Sequence, residues 1–347
     1  MNKLDNIIHI QEIDKSNMLK YILNMPKNIQ ESLDKADKIN LPEKYYKYKN
    51  ICVVGMGGSG CAADILFNQK LNNFKKPLAI IREMELPGWV DKNTLVILIS
   101  HSGETKEVLE SFKDAATREA KIIVIAEHGK LEELGKLENA IIYDYDTCAS
   151  ARSSVGYQLG FLIAINNALN ISPKINIKPA LEKIKALNQE LKPEIATENN
   201  IAKHLAFSCL DHQIIILASG ILKSVARRWK NQLNENAKTF AYFDVLPEAM
   251  HNSIQGIDFP VRAKDDNIYF LLKNDFDDFY TASRFDLITS IFDAKKIQYE
   301  NVLAQGNDVW SQKLSLVLLG DWISYYLAIL NNIDPTPVPI ITETKNS

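Results

Sequence analysis

The chain has 347 residues, 46% of them apolar and 24% charged, and a formal net charge of −3 with both signs scattered along it. That length exceeds what one compact core usually holds, so two domains of about 150 residues each are expected. The charge balance excludes an electrostatic footprint for nucleic acid or an anionic membrane, so any anion-binding site must be local.

Residues 1–14 are polar and acid-containing, and they show no basic segment leading into an apolar stretch, so no secretory signal is read there. Apolar runs such as Leu95–Ile99 and Leu314–Leu319 are too short to span a bilayer. Cys52, Cys61, Cys148 and Cys209 lie far apart without a CxxC pair, which suits reduced packing cysteines in the cytosol.

A Lys-rich stretch over 15–48 reads as helical and ends near Leu41-Pro42. Short apolar, β-rich runs follow at Ile51–Val54, Leu78–Ile81, Leu95–Ile99, Ile122–Ile125 and Ile141–Tyr143. Helical segments such as Cys61–Asn68 and Glu104–Thr117 lie between them. Strands with few polar interruptions, alternating with helices, imply a parallel sheet covered on both faces: a doubly wound α/β domain with its ligands beyond the carboxyl ends of the strands. A helical connector over Ser154–Leu205 holds Pro173, Pro179 and Pro193. The alternation then resumes with strands at Gln213–Ala218, Thr239–Phe243, Asn267–Leu272 and Lys296–Val302, a helix over Leu222–Asn236 and another from Asp277. A final helix over Trp310–Asn331 has apolar residues spaced for a buried stripe. The expected architecture is two doubly wound parallel-sheet domains, residues 1–172 and 173–347, with a helical connector, a C-terminal helix and a tail.

Gly55-Met56-Gly57-Gly58-Ser59-Gly60 joins a strand to a helix, where glycines let the backbone approach a ligand and the helix N-terminus offers free amides to an anion. Gly55, Gly57 and Gly60 also satisfy GxGxxG, and Glu83 sits where a ribose-binding acid would. This loop alone does not decide between NAD and a sugar phosphate. A second loop, Ser100-His101-Ser102-Gly103-Glu104-Thr105, brings hydroxyls at 100, 102 and 105 to another strand end. Its ordinary reading is helix capping, with Ser102 the better placed residue. Both loops together favour a terminal monophosphate, which has three oxygens to satisfy. No Gly-Lys-Ser/Thr follows the glycines, which excludes a kinase-type phosphate loop.

Gly57-Gly58-Ser59-Gly60 with Ser100-x-Ser-Gly-x-Thr105 resembles a sugar isomerase (SIS) domain, and residues 45–345 are similar to the bifunctional phosphoglucose/phosphomannose isomerase family. The resemblance implies an aldose-ketose isomerase acting on glucose 6-phosphate and mannose 6-phosphate through a cis-enediol(ate), with a place in glycolysis and gluconeogenesis. It implies Gly57, Gly58, Ser59, Ser100, Ser102 and Thr105 at the phosphate. Such chemistry needs a carboxylate base, a cation for the enediolate and a second acid/base to open the ring. Glu235, at a helix end in Asn234-Glu235-Asn236-x-Lys238, matches the segment carrying the family's base. His251, in Pro247-Glu248-x-x-His251-Asn252, matches its ring-opening histidine, donated across a homodimer with shared active sites. His101 lies in the phosphate loop but is flanked by stronger donors, and His9, His128, His204 and His212 have no supporting context.

Arg152, an ordinary surface arginine by default, occupies the family's enediolate-stabilising position. Lys345 matches less well, because Ile341-Thr342-Glu343-Thr344-Lys345 has Thr344 where the family often has Leu. A small hydroxyl residue for C2-epimer tolerance is Thr336 or Thr342. No cofactor or metal is expected, since neither HExxH nor a Cys/His cluster occurs. The rival readings are a non-catalytic sugar-phosphate regulator, whose basic helix-turn-helix is not visible in 1–50, and an NAD enzyme using the glycine loop. A glutamine-dependent aminotransferase is disfavoured because Met1-Asn2 supplies no N-terminal Cys nucleophile.

Overall fold

The computed structural model describes residues 3–145, 148 and 150–346, the side chains of 345 and 346 excepted. The chain forms two compact units, Asn24–Asn176 on the one hand and Met1–Leu23 with Ile177–Ser347 on the other. Each is built on one parallel sheet flanked by helices, the α/β class expected from the strand-helix alternation.

In the unit Asn24–Asn176 the strands are β1 (Asn50–Gly55), β2 (Leu78–Ile81), β3 (Thr94–Ser100), β4 (Lys121–Ala126) and β5 (Ile141–Asp144). They pair in parallel in the order β2-β1-β3-β4-β5. Every residue of β3 is buried, which is why its sequence is a continuous apolar run rather than an alternating one. On one face Cys52, Val54, Val96, Leu98 and Val124 pack with Val108 and Phe112 of the helix Lys106–Thr117. The chain leaves β1 for β2 on one side and returns to β3 on the other. Strand order therefore reverses between β1 and β3, the switch point beyond whose carboxyl ends doubly wound sheets take their ligands.

The other unit repeats this winding with one strand fewer. Its strands β6 (Gln213–Ser219), β7 (Ala241–Leu246), β8 (Asn267–Lys273) and β9 (Gln298–Leu303) run parallel in the order β7-β6-β8-β9. The 22-residue helix Val309–Leu330 is long and apolar enough to cross a membrane, yet its apolar stretch is entirely buried in protein. It packs against Lys178–Leu191, Ile201–Ser208 and Lys223–Glu235. A single buried stripe is thus too narrow a description, for this helix is covered all round.

Two boundaries differ from the sequence reading for local reasons. The N-terminal helical stretch is two helices, Ile7–Ile13 and Met18–Ala36. They are separated because the Asp14 carboxylate accepts the free amides of Met18 at 2.7 Å and Leu19 at 3.0 Å. Strand β7 starts at Ala241 rather than Thr239, because Lys238 adopts φ +53° and the Thr239 amide turns back to the Leu233 carbonyl.

Candidate active site

The carboxyl ends of β1 and β3 lead into two turns. After β1 the chain passes Met56 into the helix Gly57–Phe67, and Gly57 takes φ +48°, a left-handed conformation that a side chain would strain. Ser59, in the first turn, is only 2% exposed. After β3 the second turn folds on itself: Ser100 Oγ accepts the Gly103 amide at 3.1 Å and lies 3.1 Å from Thr105 Oγ1. Ser102 Oγ accepts the Glu104 amide at 3.2 Å.

These bonds overturn the capping alternative for Ser102. The helix Lys106–Thr117 begins after Thr105, whose side chain makes no capping bond, and Ser102 stabilises its own turn instead. The two turns are tied together, since the His101 amide donates to Ser59 Oγ at 3.2 Å. Gly57, Gly58, Ser59, Ser100, Ser102 and Thr105 thus fall on two joined turns at neighbouring strand ends. Glu83 lies beyond the end of β2, exposed.

Arg152 belongs to this unit and is 4% exposed, so the ordinary surface reading does not hold for it. Its backbone lies against the glycine turn, where a Cβ on Gly58 would meet the Arg152 amide nitrogen at 2.8 Å. Burial in a low-dielectric setting strengthens the field of the guanidinium on any nearby oxyanion.

The fold gathers here a group of residues of which the sequence reading had weighed only His101. His101 Nδ1 lies 3.0 Å from the Glu127 carboxylate and 3.5 Å from Tyr145 Oη. Gln158, fully buried on the helix Val155–Leu169, places Nε2 3.1 Å from Ser59 Oγ and 3.0 Å from Tyr145 Oη. Burial pushes the Tyr145 hydroxyl well above the ordinary tyrosine range, so it stays a neutral O–H at physiological pH. Only His101 carried a sequence signal, its position inside the phosphate loop.

In the other unit, Glu235 is the last residue of the helix Lys223–Glu235 and is half-buried. The helix is clamped just before it. Arg228 meets Asp321 of the helix Val309–Leu330 through two bonds of 3.0 and 2.7 Å, and Gln232 adds a third at 2.9 Å. Burial raises the Asp321 carboxyl and the Arg228 guanidinium opposes that rise. Trp229 donates to the Leu316 carbonyl at 2.6 Å. Beyond Glu235, buried Asn236 donates to Ser324 Oγ at 3.0 Å, and Lys238 Nζ reaches the carbonyls of Asn236, Asp334 and Pro335. The carboxylate therefore sits on a helix end fixed from both sides.

His251 closes the short 3₁₀ turn Glu248–His251 and is exposed. Lys345 falls in the terminal helix Pro339–Asn346, and its side chain lies outside the described residues. Thr336 is half-buried, its amide donating to Asp334 at 3.0 Å, whereas the exposed Thr342 hydroxyl donates to the carbonyl of Val338, just before its helix.

The corresponding end of the second sheet is occupied by the protein's own side chains. The Ser219 hydroxyl, at the end of β6, donates to Asp277, whose carboxylate packs on Gly220. Burial holds the Asp277 carboxyl above its usual range.

Residues 44–149 match the SIS domain, and residues 198–347 match the bacterial phospho-glucose isomerase C-terminal SIS domain. A bifunctional phosphoglucose/phosphomannose isomerase of Caldicellulosiruptor bescii is 31% identical over 95% of this chain and 98% of its own length. A protein of the same name from Aquifex aeolicus is 32% identical over 86% of this chain and 90% of its own. Among solved structures, tagatose-6-phosphate ketose/aldose isomerase of Escherichia coli shares the fold with a TM-score of 0.71 at 15% identity, covering 93% of this chain and 96% of that one. The chain belongs to the bifunctional phosphoglucose/phosphomannose isomerase family.

Proposed function

We propose that this chain interconverts glucose 6-phosphate and mannose 6-phosphate with fructose 6-phosphate, working in the cytosol as a homodimer with shared active sites. The observation that supports this most directly is the hydrogen bond from the His101 amide to Ser59 Oγ. It joins two hydroxyl-bearing turns at adjacent strand ends, an arrangement suited to one terminal phosphate rather than to a diphosphate on a single glycine turn.

In this reading Gly57, Gly58, Ser59, Ser100, Ser102 and Thr105 hold the phosphate, so the sugar is anchored by the end that does not react. His251, aided by Lys345, opens the ring. Glu235 takes the α-proton and returns it to the neighbouring carbon, passing through a cis-enediol(ate). Arg152 balances the charge that develops on the enediolate oxygen. The four cysteines are buried thiols outside any disulfide, which supports a reducing compartment.

A coupled assay on purified protein tests this with both aldose phosphates as substrates. Turnover of both is expected, with kcat falling at least about 10³-fold in Glu235→Gln while KM changes little. Absence of turnover on either sugar, or a Glu235→Gln variant as fast as the parent, would refute the assignment.

A further inference from the structure

We propose that Glu127 is a positioning residue for the substrate phosphate, acting through His101 to aim the Ser59 hydroxyl. The inference deepens the isomerase reading and rests on it for the identity of the substrate.

The argument begins at Ser59 Oγ. A hydroxyl oxygen has two lone pairs and one proton. Here the His101 amide donates to that oxygen at 3.2 Å, and the Gln158 side-chain amide lies 3.1 Å from it, shared with the hydroxyls of Tyr145 and Ser154. With the His101 amide on one lone pair, the orientation of the Ser59 O–H is tied to where residue 101 is held, and its proton can be given to a ligand. A donor in the first turn of a helix, beside the amides of Gly57 and Gly58, is what a phosphate oxygen requires.

The arrangement depends on where residue 101 is held. Its backbone belongs to a turn, not a strand or helix, so its position is set by what pins it. Segment 127–130, just beyond β4, pins the turn at both ends. The Glu127 carboxylate lies 3.0 Å from His101 Nδ1, and the Glu104 carboxylate accepts the Lys130 amide at 2.8 Å. Tyr145 stacks on the imidazole with ring centroids 6.3 Å apart and planes 20° apart, closing the slot. The side chains of His101 and Glu127 are 16% and 13% exposed, so the pair is largely shielded from water without forming part of the apolar core. An imidazole facing a carboxylate through Nδ1 carries its proton there, so Glu127 needs only an acceptor oxygen to hold it.

Contacts to a phosphate that does not react are the same in ground and transition states. Their loss therefore raises KM and spares kcat. In Glu127→Ala and in His101→Phe, KM for fructose 6-phosphate and the inhibition constant for inorganic phosphate are expected to rise about tenfold, with kcat within about twofold of the parent. Glu127→Gln keeps an acceptor oxygen and is expected to hold both constants within about twofold. The double variant Glu127→Ala/His101→Phe should be no worse than either single one, because both cut the same link.

Unchanged KM and phosphate inhibition in folded Glu127→Ala overturn the proposal, and so does a Glu127→Gln variant as impaired as Glu127→Ala. If Glu127→Ala fails to fold, His101→Phe, which keeps the amide donor, decides the matter by the same two constants. Calorimetry with inorganic phosphate separates this idea from the one it rests on. Phosphate binding that weakens in Glu127→Ala, in a protein that turns over no hexose phosphate, supports the positioning role and refutes only the isomerase assignment. Turnover with equal phosphate affinity in both proteins refutes only the positioning role.

Discussion

Gly58 and Arg152 touch through their backbones: a Cβ placed on Gly58 would lie 2.8 Å from the Arg152 amide nitrogen and 2.7 Å from the Ala151 carbonyl carbon. The segment carrying the candidate enediolate cation is thus seated directly on the glycine turn. Gly58→Ala must move one of them, since backbone atoms rather than a flexible side chain stand in the way. A fall of about 100-fold in kcat/KM is expected, the scale of a misplacement near 1 Å at a reacting centre. Gly57→Ala makes the contrast. Its Cβ would meet open space, and only the φ of +48° opposes it, so a stability loss of about 1 kcal/mol with a smaller kinetic effect is expected. Steady-state kinetics and thermal melts of the two variants check the difference.

The shared-site proposal makes a prediction that no single-subunit mechanism makes. Glu235→Gln and His251→Asn should each be nearly inactive alone. Mixed one to one and allowed to exchange, they should recover about a quarter of parental activity, since half the dimers are hybrids and each hybrid holds one site free of both changes. No recovery, in subunits shown to exchange, would mean that each active site is built within one chain.

Asp321 tests how Glu235 is held in place. Arg228 and Asp321 have side chains only 2% and 5% exposed, so Asp321→Asn leaves a buried guanidinium without its charge partner. A destabilisation of about 3–5 kcal/mol is expected in urea unfolding. Arg228→Met/Asp321→Leu, which removes both charges, should recover most of that loss. If the single variant costs no more than the double one, the pair is not what fixes this helix.

A second ion pair gives a pH signature. Burial raises the Asp5 carboxyl, but the bonds from Lys203 and Thr197 together outweigh burial and leave it below the ordinary aspartate value. Lys203 is itself fully buried and also donates to the Pro193 and Ile195 carbonyls at 2.7 Å. A carboxyl lowered in the folded state binds fewer protons than it does unfolded. Its contribution is therefore present above the unfolded value and lost as pH falls through the folded one. Asp5→Asn should cost about 1 kcal/mol at pH 7, and the gap from the parent should close below about pH 4. Melting curves from pH 3 to pH 7 measure it; a gap that widens on acidification would reverse the sign argued here.

Much of this molecule is encoded over short stretches. The run Thr94–Ser100 announces a doubly covered strand because burial on both faces leaves no room for polar alternation, and the glycine and hydroxyl turns are legible at the strand ends because turn conformation is a local property. What periodicity could not carry is whatever depends on residues far apart in the chain. The burial of Arg152, the pairing of His101 with Glu127, the reach of Gln158 to Ser59 and the clamp of Arg228 on Asp321 arise only when separate elements pack. Backbone conformation and hydrophobic pattern are properties of neighbouring residues, so sequence alone determined the class of fold and the two turns at its strand ends. The packing of distant side chains decides which hydroxyl is aimed and which charge is shielded, and only the tertiary structure supplied that.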